Sequence, residues 1–286
     1  MKITSLFEEK KPVLSFEIFP PKKESTLKNI EGTLDELSRL KPDFVSVTFG
    51  AGGTLANNAT VQLAKKIKEQ YKIEPLVHVT CLNYSKEEID IVLKELKENS
   101  IENILALRGD RNPEMLPKDD FKYASDLIQY IKETSDFGLS GACYPEKHLE
   151  SVSVADDLIH LKKKVDAGAK HLISQLFFDN DLFYSFYEKS QIVGINVPIE
   201  AGIIPVTNKK QIERMISMCG ATLPSKFSKV LQKYEDNPEA LMDAGIAYAV
   251  NQIVDLLAHD VAGIHIYTMN NPMIAKKICE SIKNLI

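Results

Sequence analysis

The sequence predicts an α/β fold, a (β/α)8 barrel, and two observations carry this prediction. Strand-like and helix-like segments alternate from one end of the 286-residue chain to the other. The strand-like segments are short, rich in Val, Ile, Leu and Phe, and mostly continuous, as a parallel sheet covered by helices on both faces requires. Eight strand–helix units in succession predict a closed barrel surrounded by helices.

The eight predicted strands are Val13–Phe19, Asp43–Phe49, Pro75–Cys81, Asn103–Leu107, Gly138–Cys143, His171–Phe177, Val197–Ile203 and Gly263–Thr268. A doubly wound open sheet is the alternative fold, but its nucleotide-binding form begins with a Gly-x-Gly-x-x-Gly motif after the first strand. No such motif follows the first strand here, and Gly50-Ala51-Gly52-Gly53 after the second is only loosely similar. The barrel is therefore the preferred fold.

The segments between the strands have the periodicity of amphipathic helices. After the third strand, Ser85 and Glu88 have the spacing of a capping box. Asp179 provides an N-cap after the sixth strand, and the last helix is predicted from Pro272 to Leu285. The longer connection between strands seven and eight predicts extra helices within one catalytic domain spanning residues 1–286.

Composition narrows the class of protein. A net charge of −5 gives no reason to expect nucleic acid or an anionic membrane as a partner. No run approaches the roughly 20 apolar residues of a membrane span, and the polar N-terminus lacks a signal-peptide core, so we expect a cytoplasmic protein. The four cysteines are scattered, which argues against a metal site, and Cys81 and Cys143 are predicted to be buried free thiols.

Polar residues collect where the predicted strands end, which is where the active site of such a barrel lies. Glu17 interrupts the apolar first strand, and a buried carboxyl group must be paired or protonated. A raised pKa would keep Glu17 protonated and let it act as a general acid. Glu200 in the seventh strand has no assigned role and is expected to form a buried ion pair.

Several chemistries are excluded by what these strand ends lack. The sequence has no nucleophile elbow, no metal-ligand spacing, no Walker A motif, and no lysine within a strand to form a Schiff base. The groups that remain are the acid Glu17, a second carboxylate at Asp110, amide and hydroxyl groups, and the basic segment 162–164. This set is incomplete without a cofactor to supply the harder chemistry.

Nine sequence motifs together carry a family resemblance. They are Ser-Phe-Glu-Ile-Phe-Pro-Pro (15–21), Phe-Val-Ser-Val-Thr-Phe-Gly-Ala-Gly-Gly (44–53), His-Val-Thr-Cys (78–81), Leu-Ala-Leu-Arg-Gly-Asp (105–110), Tyr-Pro-Glu-Lys-His (144–148), Lys-Lys-Lys-Val-Asp-Ala-Gly-Ala (162–169), Gln-Leu-Phe-Phe-Asp (175–179), Gly-Ile-Ile-Pro-Val (202–206) and His-Ile-Tyr-Thr-Met-Asn (265–270). In this order, and from end to end, the chain resembles the methylenetetrahydrofolate reductases of the short, bacterial type.

The resemblance implies a flavoprotein that binds FAD without a covalent bond. A reduced nicotinamide, NADH or NADPH, would reduce the flavin, which would then reduce 5,10-methylenetetrahydrofolate to 5-methyltetrahydrofolate in ping-pong order. It also implies a homo-oligomer and a place in one-carbon metabolism and methionine biosynthesis. Some short members use an additional electron-transfer subunit, and the sequence leaves that partner and the choice of nicotinamide open.

The resemblance also implies roles for individual residues. Glu17 matches the general acid that helps to open the folate imidazolidine ring, and Asp110 matches a carboxylate near flavin and pterin. Gln175 and Gln211 match folate contacts. The expected FAD contacts are Thr48, His78, Arg108, Gly109, Asp110, Tyr123, Ala124, Tyr144, His148, Asp157, Lys163 and Lys164. One departure concerns Asn271, which stands where many members have an arginine that contacts substrate.

Three alternative functions stay open at this point. The first is another flavin-dependent barrel that oxidises or reduces an amine or imine. The second is a flavin-free, pterin-binding barrel that transfers methyl groups, and the third is a barrel that binds without catalysis. The set of Glu17, Asp110 and Gln175 argues against the third, because a binding module has no need of a buried acid.

Overall fold

The computed structural model describes residues 1–20, 27–49, 59–110 and 118–286, so the glycine-rich segment 50–53 lies outside the described residues. Its eight strands form one closed parallel barrel in the order β1 to β8. Their bounds are β1 Val13–Ile18, β2 Phe44–Val47, β3 Glu74–Thr80, β4 Asn103–Leu107, β5 Gly138–Cys143, β6 His171–Ser174, β7 Ile199–Ile203 and β8 Gly263–Tyr267. The predicted (β/α)8 barrel is confirmed.

A short helix precedes the first strand, and helices follow each of the eight strands. They are α1 Leu6–Glu9, α2 Leu27–Arg39, α3 Ala59–Tyr71, α4 Lys86–Glu98, α5 Ala124–Thr134, α6 Val154–Ala167, α7 Asn180–Ile192, α8 Lys209–Cys219, α9 Ser225–Lys233, α10 Pro238–Ala258 and α11 Pro272–Ile282. The capping box at α4 is present, since Glu88 N donates to Ser85 Oγ and Ser85 N donates to Glu88 Oε2. Asp179 caps α7 by accepting from Asp181 N.

Strand β6 ends three residues earlier than predicted. Gln175 N still donates to the Cys143 carbonyl, but Leu176 N donates to the side-chain oxygen of Gln175 instead of continuing the ladder. A backbone donor taken by a side chain is lost to the sheet, so the strand stops there. The apolar residues beyond it, which made the run look like strand, are Leu176, Phe177 and Phe178, and they are buried outside the ladder.

The core has an outer and an inner part because successive strand residues point to opposite faces of the sheet. In β1, Leu14, Phe16 and Ile18 pack with helix residues in the large outer cluster. A small inner cluster fills the N-terminal half of the barrel with Val13, Phe44, Leu76, Leu105 and Ile173, and Ile3 and Phe7 join it from the first residues of the chain. Ser15 and Glu17 share the inward-facing side of β1.

Three helices, α8 to α10, fill the connection between β7 and β8, as predicted. Among the described helices, α10 is long and apolar enough to cross a membrane, contrary to the expectation that no segment is. A core helix of a barrel passes the same test, and α10 packs against α7, α9, α11 and β7. Its apolar face, which includes Ile246, Ala249 and Ile253, is buried there.

Candidate active site

Glu17 lies inside the C-terminal end of the barrel, between two imidazole rings. One Glu17 carboxylate oxygen, Oε2, is 3.6 Å from His78 Nε2 and 3.8 Å from His265 Nε2. The Glu17 side chain is 21% exposed, whereas that of His265 is fully buried. The Glu17 side chain is therefore partly open to solvent, while the two imidazoles beside it are buried.

The environment of Glu17 corrects the expectation of a raised pKa. Burial raises the pKa of Glu17, but the contact with His265 and the nearby imidazole of His78 lower it, and the net pKa lies below its usual value. Burial lowers the pKa of His78 to about 4, against the opposing pull of Glu17. The sequence could not show this, because the two histidines come from strands far from β1 along the chain.

A second buried carboxyl group lies deeper in the barrel. Glu200 Oε2 is 3.0 Å from His171 Nε2, with both side chains fully buried, although the two atoms are not aligned for a hydrogen bond. Its other oxygen accepts a hydrogen bond from Ser15 Oγ at 2.9 Å. His171 is thus the residue placed to form the buried ion pair predicted for Glu200, which requires a protonated imidazole.

A cleft of about 250 Å³ opens at the C-terminal ends of β4 and β5. It is lined by polar and aromatic side chains rather than by a uniformly apolar wall. It brings together most of the residues predicted to hold the cofactor, namely Arg108, Tyr123, Ala124, Tyr144, His148, Asp157, Lys163 and Lys164. The cleft is distinct from the cluster around Glu17, with which His78 lies.

The cationic groups of this cleft are held in defined positions. Lys164 Nζ donates to the Ala142 carbonyl at 2.8 Å and lies 5.6 Å from the centre of the Tyr144 ring. Burial lowers the pKa of Lys164, as it does that of His148, where the charge of Arg108 adds to the effect. Arg108 makes a two-pronged ion pair with Glu150, at 2.6 and 2.7 Å. Such pairing fixes the guanidinium plane.

The loop after β5 is tied to α6 through Asp157, which is 8% exposed. Its carboxylate accepts from His148 N at 3.1 Å and from Ser151 Oγ at 2.7 Å. These two bonds fold the loop over the start of α6, so that the His148 ring packs edge-on against Tyr144. Asp157 therefore shapes the cleft wall.

Gly109, directly after Arg108, has a backbone conformation that suits only glycine. Its φ is +82°, and a Cβ there would lie 2.9 Å from Thr80 Cβ. Asp110 follows as an exposed residue whose carbonyl accepts from Asn83 Nδ2. The turn after β4 thus carries Arg108 toward the cleft and Asp110 toward solvent.

The other predicted residues lie at separate points of the same end of the barrel. Thr48 follows β2 and donates its backbone N–H to Ile18. Gln175 follows β6 and is half-buried, while Gln211 is exposed in the first turn of α8. Asn271 is the N-cap residue of α11 without a capping side-chain bond.

Sequence reasoning missed the partners of Glu17 and assigned no role to His265 or Ser15. The sequence did contain a signal for them. Ser15 and Glu17 are two residues apart in β1, and His265 and Tyr267 are two residues apart in β8, so each pair lies on one face of its strand, and the two strands are paired. Tyr267 is also in this group: its hydroxyl donates to the Ser174 carbonyl at 2.8 Å. Among the described residues, no group of His, Cys, Asp and Glu side chains could hold a metal ion.

A closed (β/α)8 barrel with a buried acid and an aromatic, cationic cleft at the carboxyl ends of its strands has the construction of a barrel enzyme. The sequence profile of the methylenetetrahydrofolate reductase family matches residues 2–283. The chain therefore belongs to the methylenetetrahydrofolate reductase family.

Individual relatives agree with this assignment. The chain is 36% identical over 272 residues to the 5,10-methylenetetrahydrofolate reductase of Pectobacterium carotovorum, covering 94% of this chain and 89% of that protein. It is also 36% identical to methylenetetrahydrofolate reductase (NADH) 1 of Arabidopsis thaliana, where 94% of this chain spans about half (48%) of the plant protein.

Among solved structures, a Clostridium thermocellum protein that binds two copies of 5-methyl-5,6,7,8-tetrahydrofolic acid has a similar fold. The TM-score is 0.68 at 16% identity, over 99% of this chain and all of that one. At this level of identity the similarity concerns the fold.

Proposed function

We propose that this protein catalyses the FAD-dependent reduction of 5,10-methylenetetrahydrofolate to 5-methyltetrahydrofolate, with NADH or NADPH as the electron donor. The observation that carries the proposal is the Glu17 carboxyl group, held between two imidazoles at the mouth of a barrel of this family. The bacterial relatives of similar length are named as enzymes of this reaction.

The cleft beside β4 and β5 suits a dinucleotide with a charged pyrophosphate. Arg108 and Lys164 present guanidinium and ammonium donors there, and such donors bind phosphate oxygens well. His148 and Lys163 add further donors, and the exposed Tyr123 ring offers a flat surface to an aromatic ring system. When bound, FAD supplies hydride transfer between the nicotinamide and the folate, which react in turn.

The chain's own part in the folate half-reaction is the control of one proton. Opening the imidazolidine ring of the substrate requires a proton on the departing ring nitrogen. We assign the delivery of that proton to Glu17, which its lowered pKa leaves ionised in the free protein and which must therefore receive the proton from a neighbouring group, such as an adjacent imidazole, or from solvent. Gln175 and Gln211 would contact the folate, and the negative charge of Asp110 would stabilise a cationic folate intermediate.

The test separates the two half-reactions. Glu17→Gln keeps the side-chain shape but removes the acid, so we expect flavin reduction by NADH to survive and folate reduction to fall by at least about 100-fold, the usual contribution of a general acid. Glu98→Gln on the exposed surface of α4 is the matched control, and it should leave both rates unchanged. Survival of both half-reactions in Glu17→Gln would refute the role of the acid.

The visible absorption spectrum is the first measurement, because it distinguishes the alternatives. A flavin band that bleaches with anaerobic NADH supports the reductase and its first half-reaction. A band that only NADPH or an added electron-transfer subunit bleaches identifies another donor. No band after FAD is added back would favour the flavin-free methyltransferase barrel. We also propose a cytoplasmic homo-oligomer, which light scattering and fractionation would test.

A further inference from the structure

A chain of polar side chains runs through the barrel from its mouth to its closed end. It begins at Glu17, whose Oε2 lies 3.8 Å from His265 Nε2, and it continues from His265 Nδ1 to Ser15 Oγ at 2.6 Å. From there Ser15 bonds to Glu200, which pairs with His171. Apart from Glu17, none of these side chains is exposed. The barrel therefore connects two carboxyl groups through one serine and one histidine.

The single hydrogen of a hydroxyl group decides how this chain is protonated. Ser15 Oγ donates to Glu200 Oε1 at 2.9 Å, and a serine hydroxyl has only one hydrogen to give. Ser15 can then only accept from His265, so His265 Nδ1 must carry a hydrogen. In the neutral ring, Nε2 is then an acceptor, and it is this nitrogen that faces Glu17.

We propose that Ser15 and Glu200 are positioning residues that hold His265 with its hydrogen on Nδ1, so that its free Nε2 faces the Glu17 carboxyl group across 3.8 Å and can exchange a proton with it during the folate half-reaction. This rests on the proposed function of Glu17 as the acid. The proton resides either on Glu17 or on Nε2, and since the two atoms are 3.8 Å apart, its transfer requires them to approach to hydrogen-bond distance. When Glu17 gives the proton to the substrate, the pair is left as a carboxylate and a neutral imidazole, and solvent restores the proton through the partly exposed Glu17.

The charge of Glu200 makes the second arrangement possible. Its carboxylate stabilises a positive charge on His265 through the intervening serine, as the buried acid of a hydrolase triad does for its histidine. His171 is the other imidazole that faces Glu200. Removing the charge of Glu200 should therefore weaken the hold of the Glu17–His265 pair on its proton.

Of the other groups around this pair, Ser46 contacts the same His265 nitrogen as Glu17, whereas Tyr267 bonds elsewhere. Tyr267 packs edge-on against the His265 ring, 5.2 Å between centres, but its hydroxyl donates to the Ser174 carbonyl. Ser46 Oγ, 3.5 Å from His265 Nε2, can donate to it and so suits the same tautomer. Among the residues that the structure describes, His78, 3.6 Å from Glu17, is the other titratable group that faces it beside His265 and Tyr267.

The tautomer can be read directly by nitrogen NMR of the full-length protein labelled at histidine, before or after FAD is added. The chain has six histidines, and the spectrum of His265→Asn identifies the signal of His265. At pH 8 we expect wild-type His265 to show a protonated Nδ1 and an unprotonated Nε2. In Ser15→Ala, Nδ1 loses its acceptor, and the signal should become a mixture of both tautomers.

Ser190→Ala is the matched control for loss of a buried hydroxyl group. Ser190 Oγ is equally buried but bonds only to the Tyr187 carbonyl of its own helix. This variant should leave the His265 signal unchanged. A wild-type His265 protonated on Nε2 alone would overturn the proposal, as would an unaltered signal in Ser15→Ala.

Glu200→Gln tests the role of the charge with nearly the same shape. We expect the pH limb of the folate half-reaction to move down by about one pH unit or more, while the rate of flavin reduction by NADH stays within about twofold of wild type. An unshifted limb would overturn the role of Glu200. The two proposals can fail separately. If the wild-type protein showed no folate reduction at all, the proposed function would fail. The NMR spectrum of His265 would still show whether Ser15 and Glu200 fix its tautomer.

Discussion

The Glu200–His171 pair gives the sharpest stability prediction. Both side chains are fully buried, and His171 Nε2, 3.0 Å from Glu200 Oε2, is placed to neutralise the carboxylate when the imidazole is protonated. His171→Leu removes this partner and leaves a buried charge uncompensated, which costs about 3–5 kcal/mol in the free energy of unfolding. For a chain of this size we expect the melting temperature to fall by roughly 6–20 °C, at about 2–4 °C per kcal/mol.

Urea denaturation followed by circular dichroism measures this loss. Arg39→Ala is the control, since it breaks the Arg39–Glu36 ion pair, whose side chains are 71% and 47% exposed. An exposed pair contributes at most about 1 kcal/mol. The double variant His171→Leu with Glu200→Leu should recover most of the stability, because it removes both charges together. A loss below about 1 kcal/mol in His171→Leu would refute the description of Glu200 as a buried carboxylate that depends on His171.

Three further predictions concern single positions. Gly109→Ala should destabilise the protein by about 1–2 kcal/mol, because alanine is strained at φ +82°. The control Gly32→Ala lies in helix α2, where an added Cβ meets nothing within 4 Å, and it should stabilise the protein by up to about 1 kcal/mol. Equal effects of the two variants in urea denaturation would contradict this prediction. Asp157→Ala leaves the His148 N–H and the Ser151 hydroxyl without their acceptor, which costs about 1–3 kcal/mol in the free energy of unfolding. The variant should also lose more FAD on gel filtration than wild type does. Full retention of the flavin would count against a role of Asp157 in shaping the cleft. Because the folded pKa of His78 is about 4, below the value of about 6.5 in the unfolded chain, the unfolded state binds more protons between these values and stability falls as the pH drops through them. Between about pH 6.5 and 4, the free energy of unfolding of His78→Gln should therefore fall by up to about 3 kcal/mol less than that of wild type. Parallel curves of unfolding free energy against pH for the two proteins would exclude this role of His78.

Most of the fold could be predicted because it depends on local patterns. Strands β4 and β5 begin and end where the sequence predicted. β4 is a short apolar run between Glu102 and Arg108, whereas β5 is a run of small and apolar residues that begins at Gly138. The errors lie at strand ends. At β6, the Gln175 side chain takes the backbone donor that would have extended the ladder, and no periodicity reveals such a bond in advance.

The candidate site could be predicted only in part, because its contacts cross the barrel. Glu17 is conspicuous as a charge in an apolar strand, and the residues around the β4–β5 cleft form motifs. The chain from His265 through Ser15 to Glu200 is different. Its members come from β8, β1 and β7, and only the register of the closed sheet brings their side chains together. The lowered pKa of Glu17 depends on those same long-range contacts.

The backbone of β8 next to Glu200 leaves space for the chain of polar side chains from Glu17 to Glu200. A Cβ at Gly263 would lie 2.9 Å from Glu200 Cγ and 3.0 Å from its Oε1, so the absence of a side chain there makes room for the carboxyl group. The apolar residues of the inner cluster, such as Phe44, Leu76 and Leu105, lie on β2, β3 and β4 instead. Because the much larger outer cluster packs the sheet against the helices, the polar half of the interior need not stabilise the fold. Burying the carboxyl groups of Glu17 and Glu200 and the imidazoles of His171 and His265 there costs free energy of folding. The proposed role of these groups in controlling a proton gives a reason for that cost.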